Sequence, residues 1–173
     1  PLDSSAASDV YKRQVIDGVK IQESPEWLKS ALISIGENPI NNIVDITNYV
    51  MFELGQPLHA FDYEKINNSK IVIRNAKKGE KLVTLDEESR ELTEEMLVIA
   101  DSDIPIALAG IKGGKESGIQ NDTSKIVLES ACFEGGNNRK TANHFDLKSQ
   151  ATLRFEKNLK PELSEIAFNS CLL

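Results

Sequence analysis

The sequence predicts an α+β fold with a mixed, largely antiparallel sheet flanked by helices, on three observations. Two stretches of helical periodicity lie between Ser24 and Gly55, and five short β runs follow between Lys70 and Ala109. A sixth run, Lys125 to Ser130, precedes a return of helical patterns after Asn138. With 173 residues and 40% apolar composition, the chain has enough to bury one domain core, or two small lobes sharing it. It has neither an apolar run of about eighteen residues nor a secretory leader, so the expectation is no membrane partner and a cytoplasmic location.

Taken in order, residues 1–14 (PLDSSAASDVYKRQ) lack periodicity and resemble a translated sequencing adaptor. They are expected to be a non-native leader, with residues 15–173 a domain fragment that stops inside an unfinished helical pattern. Val15 to Ile21 alternates weakly, as a strand would. Ser24 reads as the cap of a helix with Pro25 in its first turn, Trp27, Leu28, Ala31, Leu32 and Ile35 inward, and Gly36 as its stop. In Asn41 to Asp62, the stripe Ile43, Ile46, Val50, Met51 and Leu54 predicts a helix ending at Gly55. Pro57 lacks an amide hydrogen, which places His59 on a turn.

Strands are expected over Lys70–Arg74, Lys81–Leu85, Arg90–Leu92, Met96–Ala100 and Ile104–Ala109, with Asp86 to Ser89 as a hairpin loop. The run Gly110-Ile-Lys-Gly-Gly breaks the last of these. Asn138–Phe145 reads as a helix, Ala151–Phe155 as a strand, and Pro161 opens a final helix.

Several chemistries are excluded by spacing. Cys132 and Cys171 sit in unrelated contexts, so no metal site is expected. The glycine turn is not a P-loop, because three residues rather than four separate Gly110 from Gly114-Lys115, and Glu116 follows. No Gly-x-Ser-x-Gly elbow is present. Gly110 reads as a tight turn or as a point of close ligand approach. A net charge of −7 argues against broad neutralisation of phosphates, yet residues 137–160 carry a local +4. That strip is either a solvated helix face or a contact for one RNA end.

Glu129 interrupts an apolar strand on the face shared with Val127 and Ala131, where a carboxylate must be paired or hydrogen-bonded. Its partner is either an arginine, such as Arg139 or Arg154, or a ligand. Thr47, Asn48 and His59 place a hydroxyl, a carboxamide and an imidazole near the helix end and its exit loop, as a pocket floor would.

The run VDITNYVMFELGQPLHAFD, followed in order by ALAGIKGG, VLESACF, RKTA and ATLRFEK, resembles the β subunit of bacterial phenylalanine–tRNA ligase in its editing module. The resemblance implies hydrolysis of the ester in mischarged tyrosyl-tRNA. It implies a pocket made from Thr47, Asn48, Pro57, His59, Ala109, Gly110, Glu129, Ser149 and Ala151. Glu129 would receive the tyrosine phenol, His59 and Thr47 would orient water or the ester, and Gly110 would allow close approach. The implied partners are the acceptor end of tRNA(Phe) and an α subunit in an α2β2 tetramer. ATP and magnesium would serve the whole enzyme, with no cofactor in this fragment.

Four positions depart from the family pattern: Ser149 for threonine, Asp146 and Asn158 for glycine, and Lys160 for aspartate. The alternative is a non-catalytic scaffold that binds tRNA or a subunit. The need for editing is physical, since an apolar pocket rejects an added hydroxyl by only about a hundredfold.

Overall fold

The computed structural model describes residues 10–172, and the elements run β1 (Val10–Asp17), α1 (Glu26–Ser34), α2 (Asn42–Leu54), β2 (Leu58–Asp62), β3 (Val72–Asn75), β4 (Lys81–Val83) and β5 (Ser89–Glu91). Then come β6 (Leu97–Ala100), β7 (Pro105–Leu108), β8 (Lys112–Gly113), β9 (Lys125–Cys132), α3 (Gly135–His144), α4 (Gln150–Phe155) and α5 (Pro161–Cys171). β9 is the centre of a three-stranded antiparallel sheet, with β1 on one side and β2 on the other. A second antiparallel sheet has the order β3-β6-β7-β8. The β4–β5 hairpin joins it through a bridge between Thr84 and Gly114.

Strand alternation explains the core. Val127 and Ala131 of β9 meet Phe61, Ile99, Ala107, Ala109, Phe133 and Phe155 in one apolar cluster. A second cluster gathers Leu82, Leu92, Val98, Leu108 and Ala142 under the hairpin and α3. Each aliphatic side chain so buried contributes about 1.5–3 kcal/mol. Outside the sheets, α5 packs on β9 and β1, while α2 packs on α1, β2 and α5.

The helix ends follow their signals. Asn41 caps α2 by accepting from the Ile43 and Val44 amides, and Gly55 closes the helix at φ 78°. Pro161 opens α5. Asp146 and Asn158 adopt φ 52° and 55°, the left-handed region that short polar side chains tolerate.

Some expectations are corrected. His59 lies on β2 and not on a turn, because Pro57 sits just before the strand, where a missing N–H interrupts no ladder beyond its own position. Ala151–Phe155 is part of a helix, since Ser149 and Thr152 form a reciprocal capping box that starts α4. Ser24 does not cap α1. Its hydroxyl donates instead to Asp45 Oδ2 at 2.5 Å, and Pro25 holds the cap position. Trp27 and Ile35 are 57% and 51% exposed rather than inward, with Trp27 set edge-on to Tyr49. Residues 10–14, assigned to the leader, belong to β1 and pair with β9; residues 1–9 lie outside the described residues.

Candidate functional site

Register places the central pair. His59 of β2 is directly opposite Glu129 of β9, so the imidazole and the carboxyl emerge side by side on the same face. They open into a cleft of about 80 Å³ between the two sheets. Pro57, Leu58, Ile99, Ala107, Leu108, Gly110, Ile111, Lys112, Gly113, Ala151 and Phe155 complete its walls.

Glu129 is 5% exposed. Its Oε2 accepts a hydrogen bond from the Tyr11 hydroxyl at 3.0 Å, across the β1–β9 pair. No arginine holds it. Arg13, opposite it on β1, donates to the Ile71 carbonyl at 3.0 Å, and Arg154 donates to the Gln150 carbonyl at 2.9 Å while stacking over Phe52. Arg139 is exposed on α3. Burial pushes the Glu129 carboxyl up to about 8, with the Tyr11 bond pulling the other way. At neutral pH the acid is therefore mostly a neutral carboxyl, able both to accept and to donate. Burial, and then the neighbouring Glu129, push the Tyr11 hydroxyl well above the ordinary tyrosine range.

His59 is lowered by burial to about 4, so the ring is neutral at pH 7. It has no hydrogen-bond partner among the described residues. It is held by shape: Phe61 meets it edge-on at 4.5 Å, and a Cβ on Gly113 would come within 2.9 Å of Nε2. A neutral, unengaged imidazole can accept from water.

Gly110 is required twice over. Its φ is 68°, and a Cβ there would meet Asn138 Nδ2 at 2.5 Å and the rings of Phe133 and Phe155 within 2.9 Å. The close approach is thus first to the protein's own side chains. Asn138 donates to the Ala109 carbonyl at 2.8 Å and so fixes the turn.

Of the nine residues expected in the pocket, Pro57, His59, Gly110, Glu129 and Ala151 line the cleft. Thr47, Asn48, Ala109 and Ser149 do not. Thr47 turns its hydroxyl onto the Val44 carbonyl of its own helix at 2.7 Å. Asn48 is half-buried on α2, and Ala109 lies behind Gly110 with its carbonyl taken by Asn138. Ser149 spends its hydroxyl capping α4, which positions Ala151. Sequence reasoning missed Tyr11, set aside with the leader, and the walls Ile99, Lys112 and Phe155. Only long-range pairing brings these to Glu129.

No trio of His, Cys, Asp or Glu side chains suited to a metal ion occurs among the described residues. No helix among the described residues is long and apolar enough to cross a membrane.

Residues 7–172 match the family described as the B3/4 domain. The chain is 49% identical over 166 residues to the phenylalanine–tRNA ligase beta subunit of Dehalococcoides mccartyi, covering 96% of this chain and 20% of that protein. It is also 49% identical over 164 residues to the same subunit of Clostridium acetobutylicum, covering 94% of this chain and 21% of that protein. The chain thus spans about a fifth of the length of these relatives. An N-terminal fragment of the phenylalanyl-tRNA synthetase beta subunit from Pyrococcus horikoshii shares the fold, with a TM-score of 0.51 and 16% identity over 72% of this chain and 39% of the other. On the match across residues 7–172, the chain belongs to the B3/4 domain family.

Proposed function

We propose that this domain, within a phenylalanine–tRNA ligase beta subunit, hydrolyses the ester that joins tyrosine to the acceptor end of tRNA(Phe). The observation that carries the reading is Glu129: a buried acid, free of arginine, beside a cleft and already bonded to a phenol. A pocket with such a group favours tyrosine because phenylalanine would leave the acid's polar atoms unpaired, and sites of this type reject the lacking analogue by roughly 10⁴- to 10⁵-fold.

In this mechanism Glu129 selects the phenol and His59 accepts a hydrogen bond from the attacking water. The backbone of the Gly110–Gly113 turn lies along the ester. Water adds to the ester carbonyl, and the tetrahedral intermediate collapses with departure of the ribose oxygen, which takes up a proton. Amino acid and tRNA are released with no covalent enzyme intermediate. Orientation is enough for an already activated ester. Thr47 and Ser149 act at one remove, through α2 and through the cap of α4. The α subunit, the α2β2 assembly and the ATP- and magnesium-dependent charging step belong to the rest of the enzyme.

The test is to incubate the chain with tyrosyl-tRNA(Phe) and phenylalanyl-tRNA(Phe) and to follow release of each amino acid. Selective loss of tyrosine is expected. Equal background decay of both would leave the scaffold reading in its place.

A further inference from the structure

Gln56, one residue before the cleft wall Pro57, is fully buried at 0% exposure, and no feature of the proposed chemistry uses it. Its carboxamide Nε2 donates to the Ala131 carbonyl at 2.7 Å and to the Pro57 carbonyl at 3.1 Å. Its Oε1 is buried with no hydrogen-bond partner. Such an orphan acceptor costs about 1–3 kcal/mol, so the side chain is kept against a standing penalty.

The register explains what it does there. Leu58 pairs with Ser130 and His59 with Glu129, so the ladder carried back one step sets Pro57 opposite Ala131. Proline has no N–H to offer the facing strand. The Gln56 side chain supplies that donor from the preceding residue, and it grips the Pro57 carbonyl as well. The chain entering β2 is thereby held to β9 at Pro57, just before the strand and two positions before His59. The His59 imidazole makes no side-chain hydrogen bond among the described residues, and its place opposite Glu129 depends on where its strand is pinned.

We infer that Gln56 is a positioning residue: its carboxamide replaces the amide hydrogen missing at Pro57 and thereby sets the imidazole of His59 against Glu129 in the cleft. This rests on the editing reading for its catalytic consequence, but not for its geometric one.

The experiment uses Gln56→Met, which keeps length without a donor, and Gln56→Glu, which keeps shape and replaces the amino group by oxygen. Thermal midpoints are recorded, and measurements are made where each variant is folded. The chain has two histidines, His59 and His144, the latter exposed at the end of α3. The Cε1–H resonance of His59, assigned by a His144→Gln control, is expected to shift in both variants while that of His144 stays. Hydrolysis of tyrosyl-tRNA(Phe) is expected to fall in kcat by roughly 10- to 100-fold with KM little changed, the size of effect that a misplacement near 1 Å produces. An unmoved His59 resonance in a folded variant overturns the inference, as does a variant that loses thermal stability yet keeps wild-type kcat. If the unsubstituted chain fails to hydrolyse tyrosyl-tRNA(Phe), the editing reading falls, and the His59 resonance still decides the role of Gln56.

Discussion

The hydroxyl of Tyr11 donates to Oε2 of Glu129 at 3.0 Å, so one oxygen of the buried acid is committed to a phenol from the neighbouring strand. That bond lowers the carboxyl against the larger upward push of burial. Tyr11→Phe should therefore raise the Glu129 titration further above about 8 and destabilise the fold by about 1–3 kcal/mol. Carboxyl infrared or carbon-13 titration reads the first effect and urea unfolding the second. An unchanged Glu129 titration would mean that the bond is absent in solution.

Glu129→Gln keeps the volume and a hydrogen-bonding amide, whereas Glu129→Ala removes both. The ratio of tyrosyl- to phenylalanyl-tRNA hydrolysis should fall at least about a hundredfold in the alanine variant, on the scale of a lost specific hydrogen bond to a substrate hydroxyl. The glutamine variant should fall between. A folded Glu129→Ala protein with unchanged selectivity would remove Glu129 from the specificity argument.

The two buried titrating groups act in opposite directions. Glu129 is raised in the fold to about 8, so its contribution to stability is full below the unfolded carboxyl range and is lost as pH rises through that value. His59 is lowered to about 4, so its contribution is present above the unfolded histidine range near 6.5 and is lost as pH falls towards 4. Between roughly pH 6.5 and 8 only the first operates. Unfolding free energy should decline across that window, and Glu129→Gln should abolish the decline. A flat wild-type profile there would contradict the burial cost assigned to Glu129.

Gly110→Ala places a Cβ against Asn138, Phe133 and Phe155 at a φ of 68°. A loss of about 1–3 kcal/mol in stability is expected from backbone strain alone. Crowding of the cleft wall should add a further loss of hydrolysis in the protein that remains folded. Chemical denaturation and single-turnover hydrolysis separate the two, and wild-type stability would show that the turn relaxes freely.

The exposed cations Arg139, Lys140, Lys148, Lys157 and Lys160 form no ion pair among the described residues. Asn158 Oδ1 accepts from the Gly135 amide at 3.1 Å and ties the 157–160 turn to the start of α3. Reversing Lys140 and Lys157 to glutamate should raise the KM for tyrosyl-tRNA and flatten its salt dependence by about 0.7 to 0.9 in log–log slope per lost phosphate contact. Unaltered KM and slope would mark the strip as a solvated face.

The sequence by itself determined the periodic elements and their punctuation. The stripe on α2, its Gly55 stop, the short strands and the Asp86 hairpin are local signals, written in side-chain spacing and backbone permissiveness. It also singled out Glu129, because a charged residue inside an apolar strand contradicts its neighbours. Tertiary structure alone decided what Glu129 meets. Its partner is Tyr11, 118 residues away, and its neighbour in the cleft is His59, seventy positions earlier. Those meetings depend on strand register, and a slip of one residue would turn each side chain to the opposite face. Local propensity holds no information on register, which is why a histidine after Gln-Pro-Leu read as a turn residue rather than as the strand partner of Glu129. The pinning of β2 by Gln56 comes from a hydrogen bond across 75 residues that only the assembled chain reveals.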